Sequence, residues 1–180
     1  MTFTLYYIHD PMCSWCWGFD PVLNDLLACL PESIQVQRLL GGLAPDTDQP
    51  MPMEMRDYIQ NTWKKIQHEV PGTKFNFEFW NACAPRRSTY PACRAVIAAR
   101  KWGDGFDQKM THAIQRAYYT EARNPSENST LVELAGEIGL SRSELKTLLE
   151  SDATHKKLMS EIALSRQLNA MTFPSLVLKK

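Results

Sequence analysis

From residue 3 to residue 9 the chain reads FTLYYIH, aromatic and β-branched with no breaker, the pattern of a buried strand. Asp10 and Pro11 interrupt it, and VLNDLLACL (22–30) then carries leucines at helical spacing until Pro31 ends the run. SIQVQRLL (33–40) alternates apolar and polar in its first half and closes on Gly41-Gly42, which predicts a second strand. Strand, helix, strand is a βαβ unit, so the sheet is expected to be parallel here.

Beyond residue 51 the period changes. Met55, Tyr58, Ile59, Thr62, Trp63 and Ile66 form one stripe at steps of three and four, an amphipathic helix. STYPACRAVIAARKW (88–102) opens with hydroxyl caps and an early proline, and FDQKMTHAIQRAYY (106–119) is a further helix. Thr130 with Glu133, and Ser141 with Glu144, read as capping boxes, each ahead of an apolar periodic run. Leu158, Ile162 and Leu168 make 152–169 helical as well. The chain closes on SLVL (175–178), a short strand with Pro174 just before it, where a proline belongs at a strand start or edge and can be cis. No internal repeat or low-complexity tract interrupts this order.

Composition narrows the function. Lys plus Arg equals Asp plus Glu at 20 each, so no strong net field draws the chain to nucleic acid or an anionic membrane. No apolar run approaches the roughly 18 residues of a membrane span. The opening MTFTLYYIHDPMC lacks a basic region, a long apolar core and a cleavage site, so the expected location is the cytoplasm. Five cysteines, an odd number, then argue against a disulfide framework and for thiols kept reduced or put to use.

The pair in HDPMCSWCWGFDP carries the chemistry. Cys13 falls where a strand gives way to a helix, so its sulfur is expected to meet unpaired backbone N–H groups that favour the thiolate. Cys16 lies one turn on, on the same face, within disulfide reach. Cys13 would attack and Cys16 resolve. Ser14 is expected to donate weakly toward sulfur, Trp15 to face substrate and Trp17 to pack inward. Asp10, if close, would push the thiol up. A zinc site needs four ligands, and neither a second C-x-x-C nor a histidine pair supplies them, so no metal is expected. Cys29 and Cys93 are expected in the core, and Cys83 as a packed or free loop thiol rather than a third redox group. His9 is open between a proton shuttle and a sheet residue. Arg86 and Arg87 are candidates to hold an anion such as a glutathione carboxylate, with a solvated loop pair as the alternative. The methionines of MPMEM read as core residues before a peptide-binding rim.

DPMCSWCWGFDP after the first strand, RLLGGL after the second, PRRSTYPACRAV opening a helix, and MTFPSLVL at the end resemble the DsbA-like, FrnE-type branch of the thioredoxin superfamily. The resemblance implies an α/β thioredoxin-like fold with an inserted all-helical domain: residues 1–50 as the βαβ half, 51–150 as the insertion, 151–180 as the second half. It implies that Pro174 is the family's cis-proline and that Thr172, Phe173 and Pro174 dock substrate beside Cys13 and Cys16. The implied activity is thiol–disulfide exchange, of the protein disulfide oxidoreductase or isomerase type, with no cofactor because the dithiol carries both electrons. The implied partners are proteins with thiols or disulfides, or small thiols such as glutathione. The family continues past this strand with another strand and a closing helix, so the sequence is expected to be cut short at Lys180, a sheet edge that is exposed or covered by a partner being the alternative. Two rivals stay open: a kappa-type glutathione transferase or 2-hydroxychromene-2-carboxylate isomerase, which typically has serine at the nucleophile position, and a redox-inert peptide-binding module.

Overall fold

The first strand, β1 (Phe3–His9), occupies the middle of a sheet ordered β2-β1-β3 in the computed structural model, which describes residues 3–180. It runs parallel to β2 (Ile34–Leu40), from Phe3 opposite Ile34 to His9 opposite Leu40. It runs antiparallel to β3 (Ser175–Lys179), from Thr4 opposite Lys179 to Ile8 opposite Ser175. A strand paired on both sides has every backbone group satisfied, which suits the unbroken apolar run of FTLYYIH. On one face Ile8 packs with Leu39, Leu168 and Ala170, joined by Phe173 and Val177.

Helix α1 (Ser14–Ala28) makes the parallel crossover. It starts well before the leucine run that predicts it, passing through Gly18 and Pro21, two poor helix formers. Tertiary packing explains Gly18: a Cβ there would sit 2.8 Å from Ile66 Cγ2, so glycine lets α2 (Met53–Glu69) close on α1.

The remaining helices are α3 (Phe79–Ala82), α4 (Tyr90–Ala99) with a 3₁₀ turn at Arg100–Trp102, α5 (Phe106–Tyr119), α6 (Asn128–Glu137), α7 (Arg142–Leu149) and α8 (Asp152–Gln167). Nearly all of α4 is buried, because its alanine-rich surface lets α5, α6, α7 and α8 pack against it. Trp63 is fully buried among aromatic rings from Phe75 at 4.9 Å to Phe79 at 6.2 Å. The expected cap at Ser141 forms, its side chain accepting from the Glu144 N–H. The one expected at Thr130 does not: α6 begins two residues earlier, with Glu127 at its N-cap, so Thr130 lies inside the helix.

The sheet and the helices are joined by a buried ion pair. Glu161 on α8 accepts the Leu40 N–H of β2 at 2.9 Å and pairs with Arg100 at the end of α4. The architecture is the α/β one that the resemblance implies.

Candidate active site

Where β1 ends, Asp10 fixes the next three residues. Its carbonyl accepts the Cys13 N–H at 3.0 Å, and its Oδ1 accepts the Met12 N–H at 2.8 Å. The other oxygen takes the Leu43 N–H at 2.7 Å, the Thr89 hydroxyl at 2.6 Å and the Cys93 thiol at 3.4 Å. Burial pushes this carboxyl above its ordinary range, and those four donors offset only part of that rise. Asp10 therefore staples the loop before α1 to the Leu43 loop and to the start of α4. No local signal in the sequence gives this role, since its partners Leu43, Thr89 and Cys93 are far along the chain.

Cys13 is the N-cap of α1, at the positive end of the helix, and remains 6% exposed; Cys16 is fully buried. Both are free thiols, one helical turn apart. Burial, then the hydrogen bond and charge of Cys13, push the Cys16 thiol well above its ordinary range. The charge of Asp10 adds to that, while the Asp10 backbone opposes it, so the expected electrostatic effect of Asp10 falls on Cys16. The Cys13 thiol also donates to the Phe173 carbonyl at 3.5 Å. The Phe173–Pro174 peptide is cis. Gly41 makes room for this loop, because a Cβ there would lie 2.1 Å from the Phe173 ring. In the sequence Gly41 reads only as a strand ending.

Ser14 departs from expectation: its hydroxyl accepts from the Trp63 indole N–H at 2.9 Å and faces the helical core. Trp15 is half-buried and lines an apolar groove of about 240 Å³ with Phe19, Val22, Val70, Phe173 and Pro174. Lys65 places its ammonium 5.9 Å from the Trp15 ring centre. Trp17 packs instead, stacked on Tyr119 at 5.6 Å with its N–H on the Lys74 carbonyl. Thr172 is exposed, its carbonyl taken by the Ser175 hydroxyl.

Several expected residues sit elsewhere. Arg86 pairs with Asp48 at 3.1 Å and Glu127 at 3.4 Å, and donates to the Ser126 carbonyl, so its guanidinium holds loops together. Arg87 is half-buried, and neither arginine lines the Trp15 groove. Cys29 is exposed, not in the core, because α1 ends at Ala28 and the next residue turns outward. Cys93 is buried but is more than filler, being the Asp10 donor noted above. Cys83 is half-buried, its thiol on the Ala122 carbonyl. Met51 is buried and Met55 half-buried, but Met53 is 68% exposed at the start of α2. His9 lies inside, stacked on Tyr7 at 4.8 Å, and burial lowers its pKa to about 3, so it is neutral.

A βαβ unit, a returning antiparallel strand and a C-x-x-C at a helix start, set against an X-Pro loop, define a thioredoxin fold of the DsbA-like type. The chain belongs to the Thioredoxin family, whose Thioredoxin_5 model matches residues 6–180. Among solved structures, a candidate protein disulfide isomerase from Nitrosomonas europaea superposes with a TM-score of 0.84 at 29% identity, covering 100% of this chain and 86% of that one. The cytosolic disulfide reductase DsbM of Pseudomonas aeruginosa, solved with GSH, gives a TM-score of 0.78 at 28% identity, covering 96% of this chain and 84% of that one. Among curated proteins, the ClpXP adapter protein SpxH of Halalkalibacterium halodurans is 22% identical over 177 residues, which is 96% of this chain and 57% of that protein. The chain thus spans a little over half the length of the curated relatives that it matches.

Proposed function

We propose that this protein is a thiol–disulfide oxidoreductase working through a mixed disulfide. The observation that carries the reading is the position of Cys13, at a helix N-cap one turn before the buried Cys16, with its thiol on the carbonyl of Phe173 ahead of the cis-proline. Cys13, which keeps an edge to solvent, attacks a substrate disulfide and releases one thiol. Cys16, adjacent and shielded, then attacks Cys13, so the pair is oxidised and the substrate reduced; the reverse order oxidises a dithiol. Backbone groups at Thr172, Phe173 and Pro174 pair with an extended substrate, and Trp15 gives it a flat apolar rest. The dithiol supplies both electrons, so the cycle needs no organic cofactor and no metal.

Substrates on this reading are protein disulfides or small thiols such as glutathione. The DsbM structure with GSH and its cytosolic designation support glutathione and a cytoplasmic location. In keeping with that location, no helix among the described residues is long and apolar enough to cross a membrane. Cysteine at both positions speaks against the transferase and isomerase rival. A partner-binding role is the second reading, favoured by the adapter name of both curated relatives, each matching 96% of this chain.

Turnover of insulin or of glutathione disulfide tests the proposal. Cys13→Ser is expected to abolish it, and Cys16→Ser to accumulate a mixed disulfide visible by mass spectrometry. A Cys13→Ser variant that keeps full turnover would overturn the reading; one that loses turnover yet captures a partner would add the second reading to it.

A further inference from the structure

Away from the thiols, two opposite charges face one cavity without pairing. Arg38 of β2 and Asp20 of α1 both line a space of about 60 Å³ between the sheet, α1 and α5. Asp20 takes only the Asn24 amide, at 3.3 Å, and the half-buried Arg38 guanidinium has no partner among the described residues. The same space is lined by His9, 3% exposed, and Gln115, 4% exposed, and neither side chain has a hydrogen-bond partner among the described residues. Buried polar groups rarely go unpaired, so two on one wall, beside two unpaired charges, point to something polar that fills the space.

Its size and surroundings narrow what that is. The volume admits about four to six water-sized groups at about 10–15 Å³ each, close to an ammonium, a carboxylate and the carbon that joins them. Asp20 and His112 are also walls of a wider space of about 520 Å³, whose other walls include Trp17, Pro21, Val70 and Pro71. The two therefore adjoin, giving a cleft that is charged at its inner end and apolar outside it. Trp17 is held in place there by its stack on Tyr119 and its N–H on the Lys74 carbonyl.

We propose that this cleft binds a small molecule with an α-amino-acid head and an apolar side chain. The carboxylate lies on Arg38 with His9 and Gln115 beside it, the ammonium on Asp20, and the side chain against Trp17, Pro21 and Val70. A guanidinium takes a carboxylate through two parallel hydrogen bonds, and a carboxylate is the natural acceptor for an ammonium. A plain anion would face Asp20 and a plain cation would face Arg38, whereas a ligand with both charges satisfies both. Neither Cys13 nor Cys16 lines either space, so the site is separate from the thiol chemistry and does not rest on it. Free amino acids and the γ-glutamyl end of glutathione share this head, and the apolar walls favour the former.

An amide chemical-shift titration of the whole protein with L-phenylalanine tests the proposal. Saturable shifts are expected around Asp20, Arg38 and His112. Phenethylamine and 3-phenylpropanoate, each lacking one charge, are expected to bind the wild type at least roughly tenfold more weakly. Arg38→Gln and Asp20→Asn are each expected to weaken L-phenylalanine by a similar factor. S-methylglutathione, which has no thiol to exchange, is expected to bind more weakly than L-phenylalanine; tighter binding overturns the apolar side chain. No saturable shift up to about 10 mM L-phenylalanine, shifts confined to the Trp15 groove, or equal binding of the one-charge analogues overturns the site, whether or not the two variants fold. None of these results bears on the oxidoreductase reading, which insulin turnover tests on its own.

Discussion

At the scale of single residues, two kinds of position differ in how readable they are. Cys13, Cys16 and Pro174 announce themselves because their signals are local: a three-residue spacing at the end of a strand, and a proline ahead of another. Asp10 and Gly41 do not, because their meaning lies in Thr89 and Phe173, and no periodicity reports a partner that distant. Arg86 is ambiguous for the opposite reason, a loop arginine being equally suited to a substrate anion and to the carboxylates of Asp48 and Glu127 that it takes. Gly41→Ala is expected to push Phe173 off Cys13, costing about 1–3 kcal/mol of stability and speeding Cys13 alkylation, since the thiol loses a carbonyl that holds its proton; denaturant titration and alkylation kinetics measure the two. His9 sets a pH dependence. The unfolded chain takes up the imidazole proton below its ordinary 6.5, the folded protein only near about 3. Between those values the unfolded state binds more protons, so stability falls as pH falls. Relative to His9→Phe, which keeps the stack on Tyr7, the wild type is expected to lose up to about 1.4 kcal/mol per pH unit across that window, read from urea unfolding at a series of pH values.

At the scale of elements, periodicity finds the helices but not all of their ends. The run 106–119 coincides with α5 because its apolar face is regular from the first residue to the last. For α1 the active-site turns carry Gly18 and Pro21, which hide a helix whose residues are held by packing on α2. The two capping boxes divide along the same line: S-x-x-E and T-x-x-E look alike in sequence, and only the entry of the chain into the helix decides which one caps. Ser141→Ala is accordingly expected to cost about 1 kcal/mol, seen as a lower melting temperature, whereas Thr130→Ala is expected to leave the melt nearly unchanged.

At the scale of the molecule, the sheet and the helical block share one core boundary. Glu161 reaches across it to Leu40 and Arg100, a union of β2, α4 and α8 that no stretch of sequence displays. Glu161→Ala leaves the buried Leu40 N–H without its partner and the half-buried Arg100 guanidinium with Asp107 alone, and is expected to cost about 1–3 kcal/mol in chemical denaturation. In the wild type, near-ultraviolet dichroism from the Trp63 cluster and the accessibility of Cys13 are expected to report one shared transition. The outward turn of Cys29 bears on every such measurement. It stands at the far end of α1, roughly 20 Å from the reacting pair by helix rise, and it is the most open of the five sulfurs. A colorimetric titration of the native protein will tag it first, and oxidation in air can couple two molecules through it. Electron stoichiometry is therefore best counted on a Cys29→Ser background, where such cross-linked dimers cannot pass for turnover.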